Sequence, residues 1–221
     1  MMQLSLAVTA STTIGTPLPE KTLAAVIDSC EQVLTLSDNK QKMLAFVESR
    51  MAVVAPNLLH HLYVGEWMEA YPKARSFAAE GVAAKRPELS FSATLGSAFD
   101  ESFGEDVERF PIDGMPGLNE SLFVHRTSRT LIATDFCFYM PKATGFAAVF
   151  AALMGIRTRV RVEPIFKALI RDKAAFRASL VPLRALQIDH LSMCHHAVIS
   201  EDATTTLQAV LDQVKVPPRV P

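Results

Sequence analysis

Three apolar runs, each ending abruptly at residues that can hold a proton or a cation, constrain this chain more than any other feature. Met51-Ala52-Val53-Val54-Ala55 is stopped by Pro56-Asn57 and leads through a short loop to His60-His61. Leu131-Ile132-Ala133-Thr134 ends directly in Asp135, and a third run closes on Met193-Cys194 and gives His195-His196. Short continuous apolar runs bounded by turn residues read as strands buried on both faces. In α/β sheets ligands gather at the carboxyl ends of strands, so these three loops are expected to converge.

The remaining elements fit around those strands. Helical spacing is expected over Pro17–Leu36, ended by Ser37-Asp38-Asn39, and over Gln41–Ser49 and Leu62–Tyr71. A short strand is expected near Ser76, with a helical turn before Lys85-Arg86-Pro87. Ser121–His125 and Thr130–Asp135 form a hairpin across the polar turn Arg126–Arg129. Ala143–Ile156 and Glu163–Leu186 are expected to be helices, the second broken at Asp172 and kinked at Pro182, followed by a strand over Ile188–Cys194 and a helix over Asp202–Val214. Alternating helices and strands together with a hairpin predict one α/β domain with a mixed sheet across residues 1–221.

Composition narrows the function classes. With 49% hydrophobic and 20% charged residues, the chain is neither disordered nor fibrous. Twenty-two basic residues against 23 acidic ones leave a net charge of −1, so no nucleic-acid or membrane partner is expected from global attraction. Cys30, Cys137 and Cys194 lie far apart without zinc or redox spacing, which predicts a reduced, cytoplasmic protein. No lysine or arginine precedes Lys21, so the positive region of a signal peptide is missing. As a helix Ala143–Ile156 rises about 21 Å, short of the ~30 Å hydrocarbon core. Met140, Phe146, Phe150 and Met154 are expected in the core first, with substrate lining or a dimer contact as their second role. Seven basic residues from Arg157 to Arg177 face only Glu163 and Asp172; a solvated helix face is favoured over an anion site.

Imidazoles and a carboxylate brought together are what Zn²⁺ or Fe²⁺ accepts. The competing reading is that histidines near strand ends are merely hydrogen-bonded, since adjacent histidines point in different directions. His125 begins a turn and is expected to be solvated; His190, mid-strand, is expected to be satisfied. Cys194 beside His195 is no catalytic dyad, because neighbours on a strand face opposite sides. Gly-x-Ser-x-Gly, phosphate-loop and dinucleotide fingerprints are all missing from the sequence.

The segments Val54-Ala-Pro-Asn-Leu-Leu-His-His-Leu-Tyr-Val-Gly-Glu-Trp67, Tyr71-Pro-Lys-Ala-Arg, Gly81–Leu89, Asn119–His125 and Ser128–Phe136 add a resemblance. Over about residues 50–200 the chain resembles an uncharacterised bacterial family related to the metallo-β-lactamase-fold hydrolases and oxidoreductases. The resemblance implies a four-layer αββα sandwich with an abbreviated N-terminus and a site along one edge. The superfamily's His-x-His-x-Asp-His loop falls on Pro56–His61, where Pro56 and Leu58 replace the first two histidines and His60 takes the aspartate's place. A later histidine is missing from Gly117–Glu120, while Asp135 and His195 match the bridging aspartate and the final histidine. The resemblance therefore implies one metal at most, Zn or Fe, held by His60, His61, Asp135 and His195, with Glu120 as an extra carboxylate and Glu120 or His196 as proton shuttle. Two functions follow: a mononuclear metal-dependent hydrolase of unknown substrate, or a catalytically silent module of the same fold that binds a small molecule without metal.

Overall fold

The computed structural model describes residues 7–9, 51–194 and 198–218. The helices expected over Pro17–Leu36 and Gln41–Ser49 lie outside the described residues, as do Cys30, His195 and His196.

The first sheet is parallel, in the order β1 (Ala7–Thr9), β2 (Ala52–Ala55), β3 (Arg75–Ala78), β4 (Ala93–Thr94). The second is mixed, in the order β5 (Val107–Pro111), β6 (Ser121–His125), β7 (Thr130–Ala133), β8 (His190–Met193), β9 (Val198–Ile199). Only the β7–β8 pairing in it is parallel; the connection between those two strands spans the helical part of the chain. The helices are α1 (Val64–Ala70), α2 (Val82–Lys85), α3 (Ser97–Phe103), α4 (Gly145–Leu153), α5 (Pro164–Ala168), α6 (Lys173–Leu180), a 3₁₀ turn over Val181–Ala185, and α7 (Ala203–Gln213).

The two-residue period of the strands sorts their side chains into layers. In β2, Ala52 and Val54 face the second sheet, while Met51, Val53 and Ala55 face Val64, Trp67, Tyr71 and Val82 of the first helical layer. In β6, Phe123 points inward between the sheets, whereas Leu122 and Val124 point outward with Leu131 and Ala133 of β7. That outer face packs on Phe166, Phe176, Leu180, Leu207 and Leu211 of the second helical layer. The order is helix, sheet, sheet, helix: the expected four-layer αββα sandwich of metallo-β-lactamase type.

Between the sheets the filler is aromatic. Phe77 meets Phe99 and Phe103 edge-on, with centroids 5.3 and 5.9 Å apart, and Phe99 meets Phe123 at 5.5 Å. Phe99 and Phe103 are four residues apart on α3, which places both rings on one face.

Two expectations on packing need correction. Phe146, expected in the core, is 86% exposed, because α4 turns Ala151 inward onto Ile156 and Ala143 and leaves Phe146 on the opposite side. His125, expected to be solvated, is half-buried, with Nδ1 2.7 Å from Ser128 Oγ. His190 is satisfied as expected, 3.1 Å from Ser200 Oγ. Asp172 caps α6 through Oδ1, which accepts from the amides of Ala174 and Ala175, so the expected helix break is a cap.

The aromatic filler yields a test. Phe99→Ala is expected to cost about 3–5 kcal/mol in urea unfolding, because both sheets would face the cavity it leaves; a cost under about 1 kcal/mol would contradict this packing.

Candidate functional site at the strand ends

Pro56 ends β2 and forces the chain into a loop that Asn57 then shapes. Asn57 is fully buried, and its Oδ1 accepts from the amides of Leu59 and His60, both at 2.8 Å. This Asx-type turn fixes the loop backbone. The same amide group uses both Nδ2 hydrogens across the sheets, donating to Thr134 Oγ1 at 3.0 Å and to Asp135 Oδ2 at 2.8 Å. His60, also buried, brings Nε2 to 3.2 Å from Asp135 Oδ1 and 3.1 Å from Oδ2. The convergence of the β2 and β7 strand ends, expected from the apolar runs, is therefore observed.

Glu120 completes the network from the start of β6. Its Oε1 accepts from Thr134 Oγ1 (2.6 Å) and from the amides of Thr134, Asp135 and Phe136 at 3.0, 2.9 and 3.3 Å. Its Oε2 is buried with no hydrogen-bond partner. Burial, reinforced by the nearby Asp135 carboxylate, pushes the Glu120 carboxyl up to about 7, against the opposing pull of its hydrogen bonds from Thr134 and Asp135. Two backbone bonds lace the same loops together: Leu58 N–H donates to Leu118 O at 2.8 Å, and Ser121 N–H to Pro56 O at 3.1 Å.

His61 takes a different direction from its neighbour. It is half-buried beside Lys85 and Arg86; burial first, then those two cations, hold its imidazole below the ordinary value. Arg86 donates to the carbonyls of His61 and Leu62, and Lys85 to that of Leu58. Of the expected ligand set, the described residues thus bring together His60 and Asp135. His195 and His196 lie outside them, and Glu120 is used in gripping backbone. Among the described residues no three His, Cys, Asp or Glu side chains are placed to hold a metal ion. Among these described residues the Asp135 carboxylate accepts from the Asn57 amide and lies against the His60 imidazole. Asn57 and Thr134, which organise the site, were not singled out by sequence reasoning. The available signal was an Asn directly after the Pro that stops a buried strand.

The fold and strand-end geometry define the class as a metallo-β-lactamase-type αββα sandwich. The chain is similar to a putative diflavin flavoprotein fragment from Nostoc sp. PCC 7120, with a TM-score of 0.52 and 14% identity over 95% of this chain and 77% of that one. It also matches DIM-1 metallo-beta-lactamase at a TM-score of 0.49 and 10% identity, over 95% and 82% of the two chains. The N-terminal part points elsewhere. Residues 2–69 match the family described as Nop, snoRNA binding domain, fibrillarin. A 51-residue segment is 49% identical to the U4/U6 small nuclear ribonucleoprotein Prp31 homolog of Arabidopsis thaliana and 45% identical to Prp31 of Homo sapiens. That segment is 23% of this chain, which spans about a tenth of those relatives. These matches are to eukaryotic proteins and give no support to the expected bacterial family.

Glu120 supplies a test by pH. Its folded carboxyl keeps a proton up to about 7, whereas an unfolded one releases it near 4.5. The native state therefore binds more protons between those values, so this contribution to stability is complete below about 4.5 and is lost as pH rises through about 7. Urea unfolding across about pH 4 to 8 should show that decline in the wild type, and Glu120→Gln should remove it. Identical pH profiles for the two proteins would contradict the assignment.

Proposed function

We propose that this chain is a catalytically silent member of the metallo-β-lactamase-type fold, a module that binds a small molecule without a resident metal. The observation that carries the reading is the Asp135 carboxylate, held by Asn57 and His60 where the fold's metal enzymes would place a ligand. An open cleft of about 830 Å³, lined among others by Tyr139, Arg159, Glu201, Asp202, Thr206 and Gln213 and by none of the Asp135 network, offers room for a small molecule elsewhere on the surface. A reducing, cytoplasmic setting agrees with the buried free thiol of Cys137. Among the described residues no helix is long and apolar enough to cross a membrane. The RNA association named for the N-terminal family gains nothing from charge, because residues 2–69 hold seven acidic and four basic side chains.

One observation favours a second reading, the mononuclear metal-dependent hydrolase with His60, His61, Asp135 and His195 as ligands. The 3.1–3.2 Å between His60 Nε2 and the Asp135 oxygens is also close to the span between two donors on one cation with bonds of about 2.0–2.2 Å. Metal quantification by mass spectrometry on protein purified without chelator separates the two. The silent module predicts no stoichiometric metal in the wild type and in Asp135→Asn alike. One equivalent in the wild type, lost in Asp135→Asn, would overturn it in favour of the hydrolase.

A further inference from the structure

We propose that α4 and the loop after it dock this protein onto an anionic lipid surface. The helix Gly145–Leu153 reads GFAAVFAAL and contains no polar side chain. Its outward ridge carries Phe146, Val149 and Leu153 at helical spacing, 86%, 57% and 76% exposed. The inner side of the helix rests on a small separate cluster of Ala143, Ala151 and Ile156, so the ridge belongs to no larger core.

Cations flank this ridge in the sequence. From Phe136 to Val162 the sequence holds Lys142, Arg157, Arg159 and Arg161 and no acidic residue. Lys142, Arg157 and Arg159 are exposed. Elsewhere Arg86, Arg109, Arg126, Arg129 and Arg184 each pair with a carboxylate, while Arg75 and Arg177 donate to a hydroxyl and a carbonyl. Among the described residues no ion pair reaches Lys142, Arg157 or Arg159, although Arg159 shares a cleft with Glu201 and Asp202. The balanced charge of the whole chain thus conceals a local positive rim.

Charge complementarity selects the occupant. A second copy meeting this face by two-fold symmetry would set like cations against each other, with carboxylates only beside Arg159. An acidic protein would satisfy the rim, yet protein interfaces carry about one hydrogen bond per 100–200 Å², and the ridge itself offers no polar side chain to make one. Acyl chains need none, while anionic headgroups suit the rim. A nine-residue helix, about 14 Å long, would lie in the interfacial plane.

The test is co-sedimentation of the full chain with phosphatidylcholine vesicles, with and without phosphatidylserine. The proposal predicts binding to the mixed vesicles, weakened by salt, and little binding to phosphatidylcholine alone. Lys142→Gln/Arg157→Gln/Arg159→Gln should weaken binding on the order of a hundredfold, at about 1 kcal/mol per cation. Phe146→Glu/Leu153→Glu should weaken it by about tenfold or more. Circular dichroism checks that both variants fold, which their exposed positions favour. No sedimentation of the wild type with mixed vesicles, or equal binding by all three proteins, overturns the proposal. A wild-type dimer that dissociates in Phe146→Glu/Leu153→Glu would instead assign the ridge to a second copy and would equally overturn it.

Discussion

The contact on which the site depends is the pair of hydrogen bonds from the Asn57 amide to Thr134 and Asp135. Asn57 lies two residues past the end of β2 in one sheet; Thr134 and Asp135 lie directly past the end of β7 in the other. Away from this edge the sheets meet through apolar side chains, which pack without fixing direction. Here direction is imposed. The amide plane sets the β2 loop through two backbone acceptances, and that loop aims His60 at the carboxylate. Asn57, His60, Thr134 and Asp135 are all buried, so losing one leaves an unpaired polar group at a cost of about 1–3 kcal/mol.

Glu120 shows how the same edge tolerates an acid in the interior. Four donors converge on one of its oxygens, yet burial and the Asp135 charge still raise its affinity for a proton. A neutral carboxyl there grips the 134–136 backbone without setting a second negative charge beside Asp135. Of the positions where the resemblance implied a metal and a proton shuttle, His60, Asp135 and Glu120 are engaged by hydrogen bonds within the chain.

Much of the fold was legible because buried strands write continuous apolar runs. Met51–Ala55 and Leu131–Thr134 read correctly, and their carboxyl ends meet as expected. β5 escaped because Glu108 and Arg109 interrupt it; both are half-buried, paired with Arg126 and Asp100, and leave only Val107 and Phe110 as apolar markers. α3 also escaped, although Phe99 and Phe103 at helical spacing announced it. α4 was legible as an apolar helix but not in its orientation, since a helix without polar residues has no sequence-marked outer face. In the site, residue types that bind metals drew the reading to the histidines and Asp135. The organising residue was an asparagine whose role depends on a partner 78 positions away, which no local pattern encodes.

The most direct measurement is a double-mutant cycle between Asn57 and Asp135. Asn57→Ala, Asp135→Ala and the double variant would be unfolded in urea with chelator present, followed through the single tryptophan, Trp67, which is 7% exposed. A hydrogen bond to a buried carboxylate that ties the two sheets predicts a coupling of about 1.5–3 kcal/mol. Losses that add within about 0.5 kcal/mol would show that the two residues act independently, and would contradict the account.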